Sequence, residues 1–183
     1  MNTLPSSTDV LDFWFNELDA KDWFMGSPEL DVQIDSRFGA LLTRASQSEL
    51  FTWRGSADGR LAEVIVLDQF SRNIYRGTPN AFAQDPLALA LAQEAIAQGL
   101  DKALPIEQRA FLYMPFMHSE SALIHQQAIE LFSTPGMENN YQFELKHKLI
   151  IDRFGRYPHR NQILGRQSSE EEIEFLTQPD SSF

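Results

Sequence analysis

Residues 85–99 read DPLALALAQEAIAQG, and whether that run is strand or helix decides the class of the fold. Alternating leucine and alanine in its first half fits an extended chain of period two. Two features point the other way. Alanine is the strongest helix former. Asp85 with Pro86 at one end and Gly99 at the other are opening and closing signals, set a normal helical length apart. The run is therefore read as helix, and the segments on either side repeat the pattern.

Toward the N-terminus, Thr78 with Pro79 predicts a short helical turn. Before it, residues 58–77, DGRLAEVIVLDQFSRNIYRG, carry core-like Leu61, Val64, Ile65 and Leu67. In the same stretch Asp68 and Arg72 stand four apart on one side, with Arg76 in line. The apolar flanks put that pair at least partly under cover, where an unmatched charge would be costly. Ser27 followed by Pro28 opens another helix, with Leu30, Ile34, Phe38, Leu41 and Ala45 at helical spacing. Residues 8–17 hold Val10, Leu11, Phe13, Trp14 and Phe15, too apolar for a surface helix and so core, with Trp23 and Phe24 in a loop after them.

Toward the C-terminus, Pro105 opens a helix that Pro115 interrupts, because its nitrogen has no proton for the carbonyl of Phe111. His118, Ser119 and Glu120 come directly after it, either aimed into a cavity or turning a corner. Residues 137–154 form a helix through Tyr141, Leu145, Leu149, Ile150 and Phe154, closed by Gly155. Gly155, Pro158 and Gly165 make residues 155–166, GRYPHRNQILGR, a shaped loop bearing Arg156, His159, Arg160 and Arg166. Ser168 with Glu171 is read as the capping box of a last helix, and the end from Gln178 as frayed. The expectation is one all-α domain over residues 1–183.

Composition narrows the function. A chain of 183 residues with 43% hydrophobic content builds one well-buried core. Without cysteine there are no disulfides, thiolate metal sites or cysteine nucleophiles. No basic leader precedes the first apolar residues and no run approaches the roughly 20 of a bilayer span, so a cytoplasmic protein is expected, with no membrane partner. A net charge of −11 opposes nucleic acid. No zinc, phosphate-loop, dinucleotide or G-x-S-x-G motif is present, and the reading implies neither cofactor nor metal. His118 and Glu120, two apart, would point to different sides of a helix, which disfavours them as joint metal ligands.

Against the acidic background, residues 146–166 hold six basic residues and one acid, a local +5 that leaves −16 elsewhere. Guanidinium forks either pair with carboxylates or receive an anion. Two segments echo each other, SRNIYRG at 71–77 and HRNQILGR at 159–166, and suggest two arginine-rich turns that converge. The resulting candidate site uses His118, Glu120 and His159 for acid–base chemistry. Asp68, Arg72, Arg76, Arg153, Arg156, Arg160 and Asn161 hold a small anionic ligand. An interaction module taking an acidic peptide is the alternative. A third outcome is a structural network in which Asp68, Glu120 and Asp152 consume the arginines.

The strings VLDFWF at 10–15, LDQFSRNIYRG at 67–77, AFAQDPLALALA at 81–92, FLYMPFMHSE at 111–120, FGRYPHRNQILGR at 154–166 and EEIEFL at 171–176 together resemble the bacterial proteins grouped as domain of unknown function 924. The resemblance implies an all-helical fold of antiparallel helix pairs in a tetratricopeptide-like arrangement. It brings no activity and no catalytic residues. The chain departs from the family pattern at Ser71, where proline is common, and at Ser121, where an acid is common.

Overall fold

The computed structural model describes residues 4–182. Among them there is no strand, and the fold is all-α. In chain order the helices are α1 (Ser7–Asp12), α2 (Ala20–Met25), α3 (Pro28–Ser46), α4 (Ala57–Ile65), α5 (Ser71–Ile74), α6 (Asp85–Ala97), α7 (Ile106–Met117), α8 (Ala122–Phe132), α9 (Glu138–Phe154) and α10 (Glu170–Phe175). Wide π turns extend α1 through Phe13–Glu17 and join α4 to α5 through Val66–Phe70. The deciding run is α6. It buries Ala88, Leu91, Ala92 and Ala95, a spacing of three and four, and stops where Gly99 turns left-handed at φ 70°.

The described residues group into two compact units, one formed by residues 4–76 with Asn80–Pro115 and the other by Gly77–Pro79 with residues 116–182. In the first, Phe13, Trp14, Phe38 and Phe70 are essentially fully buried. Their rings meet Phe111 and one another at centroid distances of 4.8–6.1 Å, tilted or edge to face. Each such ring contributes about 1.5–3 kcal/mol through burial. Trp23 and Phe24 belong to a helix rather than a loop. Asp19 and Asp22 close a reciprocal capping box that nucleates α2, and Trp23 Nε1 donates to the Trp14 carbonyl at 2.8 Å.

The π turn at Val66–Phe70 adds a residue to one turn and rotates the helix beyond it, so Val66, Leu67, Asp68 and Phe70 are all buried. Pro115 does not end α7, which continues to Met117. The break falls at residues 118–121, and α8 starts after it. In the second unit α8 and α9 pack as a pair joined by residues 133–137. Ile150, Ile151 and Tyr157 with Phe154 and Phe175 form a small core beneath the loop after α9. No described helix is long and apolar enough to cross a membrane.

Candidate functional site

In the first unit, the expected Asp68–Arg72 pair forms, but at 3.3 Å it is the weaker of two. Arg72 grips Asp85 with both Nη atoms at 2.9 and 3.0 Å, and its Nη1 also donates to the Asp68 carbonyl at 2.6 Å. Arg76 makes a two-pronged pair with Asp31 at 2.6 and 2.8 Å, and Asn73 donates to the same carboxylate. Both clusters are anchored on α5 and the turn that follows it.

In the second unit, the break after α7 leaves three successive carbonyls at a helix end, where backbone acceptors lack intrahelical partners. A different side chain meets each one. Tyr157 donates its hydroxyl to Met117 O at 2.5 Å, Arg160 donates Nη2 to His118 O at 3.0 Å, and His125 Nε2 reaches Ser119 O at 2.8 Å. Glu120 completes the closure. Its carboxylate takes the Tyr157 N–H at 2.7 Å and both Nη atoms of Arg166 at 2.6 and 2.9 Å. Burial raises the Glu120 pKa, but the Arg166 and Tyr157 donors outweigh it and hold the carboxyl below its usual range.

The same logic absorbs the other loop residues. Asn161 is fully buried, accepts from Arg166 Nε at 2.9 Å and donates to Ser168 Oγ at 3.0 Å. Arg156 binds Glu172 at 2.6 and 2.8 Å, and Arg153 binds Glu171 at 2.8 Å. The capping box of α10 is accordingly Ser169 with Glu172, one residue beyond the expected Ser168 with Glu171. Arg156 anchors Glu172 and Asn161 occupies Ser168, which together set that register. The Arg156 contact, with help from the Ser169 N–H, takes Glu172 down to about 2 against the opposing effect of burial. Lys148 pairs with Asp152, four residues further along α9.

Two of the predicted residues, His118 and His159, are half-buried and lie among groups not anticipated. Tyr157 is the hub. His147, His159 and His125 set their rings 5.7, 5.5 and 6.3 Å from its centroid, and the Arg160 guanidinium lies over it at 4.6 Å. His118, His125 and His159 are all near enough for their charges to act on His147. The four histidines of the chain thus gather in one place. Burial, helped by those neighbouring imidazoles and opposed by the bond to Phe143 O, pushes His147 down to about 3.

Behind Tyr157, His125 Nδ1 meets Glu144 Oε1 at 2.6 Å, both side chains 0% exposed. A carbonyl only accepts, so the contact with Ser119 O places a proton on Nε2. The second oxygen of Glu144 is buried without a hydrogen-bond partner, and burial raises this carboxyl above its usual range despite the opposing pull of His125. The pair therefore holds one proton between carboxyl and imidazole. Reading the sequence does not single out His125, Glu144, His147 or Tyr157. A signal exists nonetheless: His125 keeps helical register with buried Ala128 and Phe132, and Glu144 and His147 with Ile150 and Ile151. Ionisable residues at core spacing mark buried polar chemistry.

A hollow of about 220 Å³ lies elsewhere, in the first unit, lined by Leu42, Thr43, Ser46, Tyr75, Asn80, Ala83 and Gln84. None of the predicted site residues lines it. Among the described residues no three histidine, aspartate or glutamate side chains are grouped to hold a metal.

Residues 10–180 match the model of a family described as bacterial proteins of unknown function, DUF924. A solved structure described as a protein of unknown function, ATU0120, from Agrobacterium tumefaciens is 38% identical. The match covers 93% of this chain and 96% of that one with a TM-score of 0.88. No curated protein matches. The helical order, the arginine-bearing loop and these two matches agree: the chain belongs to the DUF924 family.

Proposed function

We propose that the second unit binds a small anionic molecule at the histidine cluster, with His118 and His159 as its acid–base groups and Arg160 supplying positive charge. The observation that carries this reading is the gathering of four imidazoles in one place, three of them with their rings against Tyr157. Two are buried and two half-buried, beside a guanidinium locked in place by His118 O and the Tyr157 face. Imidazoles near the surface change charge within the physiological range and serve as both acid and base. The Arg160 guanidinium, one Nη of which serves His118 O, adds fixed positive charge that favours a carboxylate or phosphate nearby. Compared with the sequence reading, the ligand set contracts. Arg153, Arg156 and Asn161 serve the loop and α10, Glu120 serves the break, and Asp68, Arg72 and Arg76 are ion-paired within the other unit.

The test is a thermal-shift and titration screen with inorganic phosphate and small mono-, di- and tricarboxylates. A stabilising anion whose affinity drops about tenfold or more in His159→Gln and in Arg160→Lys, both keeping a polar side chain, is the expected result; tenfold corresponds to about 1.4 kcal/mol. Absence of any stabilising anion, or an affinity indifferent to both changes, removes the reading. Capture of an acidic peptide in its place would favour an interaction module.

A further inference from the structure

We propose that the histidine cluster is an acid-operated latch, in which residues 155–166 are held on the helix break at 117–121 at neutral pH and proton uptake by His147 releases them. The geometry supplies the fastening. Tyr157, Arg160 and Arg166 from the loop, with Glu120 from the break, bind the two segments together through five hydrogen bonds. A further bond within the loop, from Arg166 Nη2 to the Tyr157 carbonyl at 3.2 Å, ties its two ends to each other. The sensor is His147 of α9, buried edge-on against the Tyr157 ring. When the loop lifts, Tyr157 leaves with it and His147 is hydrated. The ionisable groups whose charges reach it are His118 from the break, His125 from α8 and His159 from the loop; Glu144, one turn back on α9, is held by His125, and Arg160 lies over the Tyr157 ring that His147 abuts.

The sign comes from linkage. In the closed state burial keeps His147 neutral down to about pH 3, whereas a hydrated imidazole titrates near 6.5. The open form therefore binds one more proton between those limits, and stability of the closed form is fully present above about pH 6.5 and lost as pH falls. Each pH unit multiplies the open population by about ten. Glu144, whose carboxyl burial holds above its usual range in the closed state, takes a proton more readily closed than open and so opposes release as pH falls, which makes His147 the group that drives it. Glu120 and Glu172, both lowered in the closed state, weaken the latch only below about pH 4.5.

Hydrogen exchange on the full chain reads this directly through the amides of Tyr157, Arg160, Asn161, Leu164 and Arg166, all hydrogen-bonded in the closed loop. After correction for intrinsic rates, protection there falls by up to about 30-fold between pH 7.5 and 5.0, while amides of α3 and α4 hold theirs. His147→Phe keeps an aromatic against Tyr157 and abolishes the fall; Glu144→Gln preserves it. A variant-free check is the His147 ring resonance, which stays at the neutral position at pH 5 in the closed form. The proposal is overturned by unchanged protection at pH 5. Loss shared equally with α3 and α4, a full fall retained in His147→Phe, or a closed-state His147 already protonated at pH 6 would overturn it equally.

Discussion

The two echoing segments, SRNIYRG and HRNQILGR, carry the same arginine–asparagine core and use it differently. Arg72 and Arg76 of the first reach across to aspartates on other helices, Asp85 of α6 and Asp31 of α3. They tie regular elements whose backbones are already satisfied. Arg160 and Arg166 of the second supply donors to a place where the backbone stops satisfying itself, capping His118 O and holding Glu120. Removing Arg76 from the first segment loses an ion pair, and removing Arg72 loses an ion pair and one bond to a carbonyl inside its own helix. In the second, loss of an arginine strands backbone groups at the break as well, and that distinction sets the order of mutational cost.

The largest effect is expected at the centre of the second arrangement. Glu120→Ala leaves the Tyr157 N–H and the Arg166 fork without their acceptor in a half-buried setting. A loss of about 2–4 kcal/mol in chemical denaturation is expected. Glu120→Gln, which keeps an acceptor for the Tyr157 N–H, should recover a measurable part of it; equal losses in both would mean that charge alone matters there. Next comes Arg72→Ala, at about 1–2 kcal/mol, because the buried Asp68 and half-buried Asp85 lose their main cationic partner. The smallest is Arg76→Ala. Its side chain is 54% exposed, so the change should stay within about 1 kcal/mol and shrink further in high salt. An Arg76 effect as large as that of Glu120 would erase the contrast between the two segments.

Much of this architecture is legible in the residues alone. The Ser27–Pro28 opening, α6 with its Gly99 stop and the Gly155 close of α9 depend on residues within a few positions of each other, and backbone chemistry at that range is written locally. Expectation and structure part by small amounts where a distant residue intervenes. Ser168 has the correct spacing to Glu171 for a cap, yet Asn161 and Arg156 move the box to Ser169 and Glu172. Proline chemistry predicts a break at Pro115, whereas α7 persists to Met117, beyond which Tyr157, Arg160 and His125 provide partners for the carbonyls. In the candidate site, His118, His159 and Arg160 stand out as residue types. His125, Glu144, His147 and Tyr157 do not, because they are ordinary members of helix faces and loops until packing buries them.

The order of amino acids is enough to set the all-α class, most helix boundaries, the acidic surface with one basic segment, and membership of the family. These come from propensity, capping and composition, which act through neighbours along the chain or through sums over it. Folding in three dimensions was needed to choose which carboxylate each arginine meets, and to make Glu120 a clasp rather than an open acid. It was needed too for three imidazoles to meet on one tyrosine with the fourth close by. Such outcomes depend on contacts between residues up to 46 positions apart, where the free energy of a charge or a proton is set by what surrounds it and by how much water is excluded.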